Sequence, residues 1–390
     1  SAHRASPKFP KSSQFGTTTT TDAMNPMGVF PTRNFREGSI EGWENIVSSE
    51  YAKIKVEDTT CYACMIGCGN VFTIESGPYA GATSQPEYET INMFTGGIGS
   101  TDIGATIVAD YLCDEMGIDT ISAGNSIGFA YELFEKGILT LKDTDGLDLT
   151  YGNHQAALEL LKKIGNREGL GDILAEGVKK AAEQIGKGTE AYAMHVKGLE
   201  IPGYDPRAVK WHGLNYITSP CGANHNTGYG RQELLNVPVP RAVDRFADEG
   251  FADCTKDNQD HMALVEIVVA CEFLGAMLPD PLLAKMLVSA TGIPAFGDEK
   301  YLSQVGERIF NLERAFNNRE GFIRKDDSFP KRFTTEPLKN AGPADGQFIR
   351  NIDRMLDEYY QVRGWDKTSG KPLPETLKSL RLDYVIPDIW

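Results

Sequence analysis

The chain has 390 residues, 41% hydrophobic, 24% charged and 9% aromatic, and its 39 Lys plus Arg against 54 Asp plus Glu leave a formal net charge of −15. That is the composition of a globular protein long enough for two domains, and it excludes wholesale disorder. The acidic balance, with no Lys/Arg-rich stretch to offset it, argues against nucleic acid as a partner. The longest mostly apolar stretch, Ile267 to Leu278, is interrupted by Glu272 and falls short of the roughly 20 residues of a membrane span, so no membrane insertion is expected.

Residues 1–25 are Ser/Thr-rich, with an unbroken run from Thr17 to Thr21, and read as a linker that something else precedes. Gly28 to Thr32 is extended by Pro31, and from there the pattern is mainly helical with few alternating runs, so the fold class is mainly α. Seven cysteines, an odd set with three inside eight residues, do not look like a secreted disulfide framework, and a reducing compartment fits them better. Those three, Cys61, Cys64 and Cys68, form a C-x2-C-x3-C loop that aims three thiols toward one point. An iron–sulfur cluster would take a fourth thiolate and zinc would accept a histidine, while a simple buried set needs no fourth group at all. Spacing alone leaves these open.

Pro86-Glu87-Tyr88-Glu89-Thr90 and the glycines of Thr95 to Gly99 precede a helix with Thr101 as candidate N-cap, an apolar face of Ile103, Ile107, Tyr111, Leu112 and Met116, and Gly117 as C-terminal stop. Asp114 and Glu115 in its last turn, with Asp119 just beyond, oppose the helix dipole; a ligand rich in N–H donors would suit them, and a solvated acidic helix end is the plainer alternative. A second helix is predicted from Ser126 to a stop at Gly137, then others at about Gln155 to Ile164, Asp172 to Ile185, Met262 to Met277, Leu282 to Ala290, Tyr301 to Asn317, Phe348 to Val362 and Glu375 to Leu380. Between Tyr192 and Gly230 the pattern lapses into Gly, Pro, Asn and Thr, which sets a domain boundary near residue 195 and marks a functional loop holding His225. Glu89 and His225 are the acid–base candidates. Glu266 to Cys271 reads as a nearly apolar, buried helix.

Six landmarks in order resemble the tungsten-containing aldehyde ferredoxin oxidoreductase family: Pro31-Thr32-Arg33-Asn34-Phe35, the Cys61 to Cys68 loop, Pro86 to Thr90, Asp114-x-x-Gly117-Ile118-Asp119-Thr120, Lys197-Gly198-Leu199-Glu200 with Tyr204-Asp205-Pro206-Arg207, and Arg363-Gly364-Trp365. The resemblance implies two helical domains, 26–195 and 196–390, enclosing a tungsten (or molybdenum) bis-pterin and a 4Fe-4S cluster, with Mg2+ bridging the pterin phosphates. It implies Cys61, Cys64, Cys68 and Cys271 as cluster ligands. Asp114, Ile118 and Asp119 match the family's first pterin motif, D-x-x-G-L-(C/D), and Glu266, Ala270 and Cys271 stand in place of the second, with Glu266 for Asp and Val269 for Gly. Glu89 and His225 resemble the acid and histidine near the metal. The implied activity is oxidation of a small aldehyde to its acid with water, electrons passing to ferredoxin or an iron–sulfur subunit, in a cytoplasmic oligomer. A low-potential aryl-CoA or carboxylic acid reductase, or a zinc-stabilised helical module without catalysis, are the alternatives. The family's N-terminal β-rich, pterin-cradling domain has no counterpart in these residues, and activity is expected to need it.

Overall fold

In a computed structural model of the chain, residues 9–64, 66–230, 232, 234, 238–275 and 278–390 are described. They divide into two compact units, 1–209 with 329–348, and 210–328 with 349–390. The fold is mainly α, as the sequence predicts.

Over its described residues, 9–25, the stretch expected to be a linker is helical, and residues 1–8 lie outside the described ones. Helix α1 (Phe9–Phe15), a 3-10 turn at Gly16–Thr18 and α2 (Thr19–Met24) make it up, and Thr21 and Met24 are buried. Threonine hydroxyls bond nearby backbone here, Thr18 to Phe15 O at 2.6 Å and Thr19 to Gly16 O at 3.0 Å, so a Ser/Thr-rich stretch can fold where its hydroxyls find carbonyls. After α3 (Ser48–Tyr51) come β1 (Lys55–Thr59), β2 (Gly69–Thr73) and β3 (Thr83–Ser84), an antiparallel sheet in the order β1-β2-β3 whose first hairpin encloses the cysteine loop.

Then come α4 (Tyr88–Phe94), α5 (Ile103–Met116), α6 (Thr120–Glu135), α7 (His154–Asn166), α8 (Leu170–Leu174) and α9 (Val178–Ile185). Phe94, Ala109, Ile127, Phe129, Leu133, Leu160, Leu161 and Ala181 are among the side chains of their common core. Asp102, not Thr101, caps α5, accepting from Ala105 N at 2.7 Å. Helix α6 starts six residues before Ser126, because Asp119 caps it through Ser122 N at 2.7 Å. The helix expected over Asp172 to Ile185 is two, broken at Gly177 (φ 82°), and the Glu200 carboxylate accepts from Val178 N at 2.8 Å to start the second. A short hairpin, β4 (His195–Val196) and β5 (Leu199–Glu200), follows.

The second unit takes α10 (Lys210–Thr218), α11 (Ala252–Ile267), α12 (Glu272–Gly275), α13 (Asp280–Thr291) and α14 (Glu299–Arg319). Helices α11 and α14 pack closely, and a glycine is needed at Gly306 because a Cβ there would lie 2.1 Å from Asp260 O. Helix α15 (Lys331–Thr335) returns to the first unit, and α16 (Ile352–Arg363), α17 (Pro374–Ser379) and α18 (Ile386–Ile389) complete the second.

The boundary expected near residue 195 therefore falls at 209/210, and 329–348 belongs with the first unit. The reason is a buried ion pair: Arg332 Nη2 lies 2.7 Å from Glu132 Oε1, side chains 2% and 0% exposed. Losing one partner would strand a buried charge. Phe333 meets Phe35 edge-on at 5.6 Å beside it. Arg332 also donates to Asn34 O at 2.5 Å, holding Arg33, Asn34 and Phe35 in a left-handed turn (φ 49°, 54° and 62°).

Candidate functional site

Within the first unit, hydrogen bonds tie the segment carrying Glu89 to the helix corner carrying Asp119. Pro86 keeps the chain extended before α4, which then presents Tyr88, Glu89 and Thr90 in its first turn. Gly203 N donates to Glu89 Oε2 at 2.7 Å and Tyr88 Oη donates to Gly203 O at 2.5 Å. The Thr90 hydroxyl meets that of Thr120 at 3.0 Å, which brings α4 beside the corner between α5 and α6. That corner carries Asp114 and Asp119 at the surface and Ile118 half-buried. Asp119 spends one carboxylate oxygen on capping α6. Just inside, Asp110 is buried with its carboxylate accepting from Ser84 Oγ at 2.6 Å, and burial raises its pKa. Glu200, bonded to Ser122 Oγ at 2.8 Å, is likewise raised by burial.

The corner is a Schellman-type cap. Gly117 takes φ 65°, its N–H bonds Asp114 O at 3.2 Å, and Ile118 N bonds Cys113 O at 2.9 Å. In the second unit α11 ends the same way: Val269 takes φ 55°, its N–H bonds Glu266 O at 2.9 Å, and Ala270 N bonds Val265 O at 3.1 Å. Glu266, Val269, Ala270 and Cys271 thus repeat the backbone roles of Asp114, Gly117, Ile118 and Asp119. The expected buried helix through Cys271 is corrected: α11 stops at Ile267, Val269 is 92% exposed and Cys271 is exposed. The last residue expected in that helix, Met277, lies outside the described residues. An exposed thiol at a helix corner suits a ligand better than a packing residue. Glu272, next in sequence, is pushed up to about 8 by burial and by the nearby Glu266 charge.

The cysteine loop shows the donor chemistry of a thiolate site. Cys61 is exposed, and Cys64 and Cys68 are half-buried. Ile66 N donates to Cys64 Sγ at 3.4 Å, and the backbone N–H groups of Gly67 and Ile66, with the Thr60 hydroxyl, lower the Cys64 pKa. Such N–H bonds to sulfur are what an iron–sulfur ligand loop supplies. The turn needs Ala63 and Gly67 at φ 54° and 58°. Ser13 of α1 donates to Ile66 O at 2.5 Å, so the helix taken for a linker braces this loop. Among the described residues no three Cys, His, Asp or Glu side chains are gathered in metal-binding geometry, so the three thiols share a loop without meeting at a point.

His225 follows α10 in the second unit, half-buried, with its ring 6.2 Å from Tyr229. Burial pushes it down to about 4. Sequence reading passed over its neighbour His212, which is 0% exposed on α10 and edge-on to Trp211, Tyr216 and Tyr229 at 5.4, 4.8 and 6.1 Å. Burial, and then the charge of His225, push His212 down to about 3. Both imidazoles are neutral at pH 7, the form that accepts a proton.

Among the described residues no helix is long and apolar enough to cross a membrane. A family profile described as aldehyde ferredoxin oxidoreductase, domains 2 and 3, matches residues 2–382. The tungsten-containing aldehyde ferredoxin oxidoreductase of Thermococcus kodakarensis is 38% identical over 363 residues, 92% of this chain and 58% of that protein. The protein of the same name from Pyrococcus abyssi is 37% identical over 96% of this chain and 61% of its own length. The active-site complex BamBC of benzoyl coenzyme A reductase, solved with 1,5-dienoyl-CoA, superposes with a TM-score of 0.73 at 25% identity, covering 94% of this chain and 60% of that one. The chain therefore spans about 60% of the length of the relatives it matches.

Proposed function

Because the chain belongs to the aldehyde ferredoxin oxidoreductase family, we propose that it oxidises a small aldehyde to its carboxylic acid, taking the oxygen from water and releasing two electrons and two protons. The observation that supports this most is the placement of Glu89. Its carboxylate is held by a backbone N–H at 2.7 Å beside the helix corner that carries Asp114 and Asp119. A tungsten (or molybdenum) bis-pterin, with Mg2+, would supply the two-electron acceptor when bound. Asp114, Ile118 and Asp119 at one corner, and Glu266 and Ala270 at the other, would contact the pterins. The carboxylates of Asp114, Asp119 and Glu266 would accept N–H bonds from the pterin rings.

Cys61, Cys64, Cys68 and Cys271 would hold the 4Fe-4S cluster through which electrons leave for ferredoxin or an iron–sulfur subunit. Glu89 takes a proton from the attacking water or holds the aldehyde oxygen, and neutral His225 accepts the other proton. The proposal is for a cytoplasmic oligomer in which a further domain or subunit completes the pterin cradle.

The test is turnover of simple aldehydes by the full-length protein with an artificial acceptor. Glu89→Gln should lower kcat by about a hundredfold or more with metal content intact. Unchanged turnover would remove Glu89 from the chemistry. The likeness to the benzoyl coenzyme A reductase complex favours a second reading, low-potential reduction of an aryl-CoA or a carboxylic acid. Activity with those substrates and none with aldehydes would select it.

A further inference from the structure

We propose that Gly203 is a positioning residue for Glu89, an inference that rests on Glu89 being the acid–base group. Gly203 lies in the buried run Ile201-Pro202-Gly203-Tyr204-Asp205-Pro206. Its two peptide groups grip consecutive side chains of α4: the N–H donates to Glu89 Oε2 at 2.7 Å, and the C=O accepts from Tyr88 Oη at 2.5 Å.

The run itself is firmly held. Asp205 N donates to Val29 O at 2.9 Å, and the buried Asp205 carboxylate pairs with Arg207 at 2.6 Å. Tyr88 packs on Tyr204 at 5.2 Å, which closes the clamp from its other side.

Gly203 is not a glycine for backbone reasons, since its φ lies outside the left-handed region. Space requires it: a Cβ would stand 3.1 Å from Glu89 Oε2, from Asn92 Cβ and from a Tyr88 ring carbon. Ordinary contacts are wider, so a Cβ here makes these neighbours give by a few tenths of an ångström and crowds the Glu89 carboxylate against its N–H donor. A backbone N–H on a carboxylate favours the ionised form as well as fixing its direction. Gly203 therefore fixes the direction of the Glu89 carboxylate, which accepts a proton from water as the water oxygen bonds to the aldehyde carbon and the C=O π pair moves onto the aldehyde oxygen.

The experiment compares Gly203→Ala, Tyr88→Phe, Glu89→Gln and the Gly203→Ala/Glu89→Gln double variant in the full-length, metal-loaded enzyme. Gly203→Ala should lower kcat about tenfold to a hundredfold and change KM much less. It should also move the acid limb of the kcat–pH profile upward, because loss of the N–H bond raises the Glu89 pKa. A crystal structure of the variant should show the carboxylate displaced from residue 203 N. In the Glu89→Gln background the same change should cost nothing further. Tyr88→Phe frees the clamp without adding bulk and should give the same upward shift with a smaller loss, which decides the matter if Gly203→Ala does not fold. An unchanged pH profile in both Gly203→Ala and Tyr88→Phe, or a loss that persists in full on the Glu89→Gln background, would overturn the inference. Parent-like turnover by Glu89→Gln would instead overturn the assignment of Glu89 itself, and the inference with it.

Discussion

Two helix corners in different units, Asp114 to Asp119 and Glu266 to Cys271, are built on one backbone plan with different side chains. Each ends a helix in a left-handed residue whose successor reaches back five positions, and each then starts another helix. In the first corner Gly117 takes the left-handed position at no steric cost, and Asp119 ends the motif. In the second, Val269 takes the same position although β-branched residues are strongly disfavoured there, and the motif ends in a thiol, Cys271. The shape is kept where the residue type resists it, which indicates that the shape, more than the glycine, is what each site needs.

The sharpest way to separate the corners is by what each holds. Cys271→Ser in the full-length protein should lose most of about four irons per chain. Asp119→Asn preserves the cap of α6, since Asn caps as well as Asp, and should keep the iron while losing tungsten and pterin. Metal analysis of the two variants reads both effects, and equal losses of both metals from both would erase the distinction.

A smaller effect tests the shared backbone. A Cβ on Gly117 would touch nothing within 4 Å, and Val269 is almost wholly in solvent, so neither exchange alters packing. Gly117→Val should destabilise by about 1–2 kcal/mol through left-handed strain. Val269→Gly should stabilise by about 0.5–1 kcal/mol, the gain being trimmed by the freer unfolded chain. Denaturant midpoints decide this, and a destabilised Val269→Gly would mean the valine is held by something other than its conformation.

The acid side of the stability curve distinguishes the second unit further. His212 binds a proton below pH 6.5 when unfolded but only near pH 3 when folded, so the unfolded state binds more protons between these values and stability falls as the pH falls. His212→Phe should flatten that limb by about 1.4 kcal/mol per pH unit. An unaltered slope would show that His212 is solvated.

Much of this was legible from residues, and the failures have physical causes. The D-x-x-G pattern, the cysteine loop and the helical periodicity located α5, α7, α13, α14 and α16 to within a few residues. Helix α6 starts earlier than its pattern predicts because Asp119 both ends the D-x-x-G motif and caps the helix, and no local pattern marks one side chain for two tasks. At Glu266 to Cys271 the apolar run implies burial, whereas the run turns a corner in solvent. Its signal was Val269 standing where glycine is expected. Gly203, His212 and the bracing helix α1 depend on partners more than forty residues away in sequence, or on ring packing, and carry no local pattern.

The central claim is that these residues hold tungsten–pterin and a 4Fe-4S cluster, and elemental analysis of anaerobically isolated full-length protein tests it most directly. The account predicts about four irons and one tungsten or molybdenum per chain, with pterin. Zinc alone, with no pterin, would contradict it.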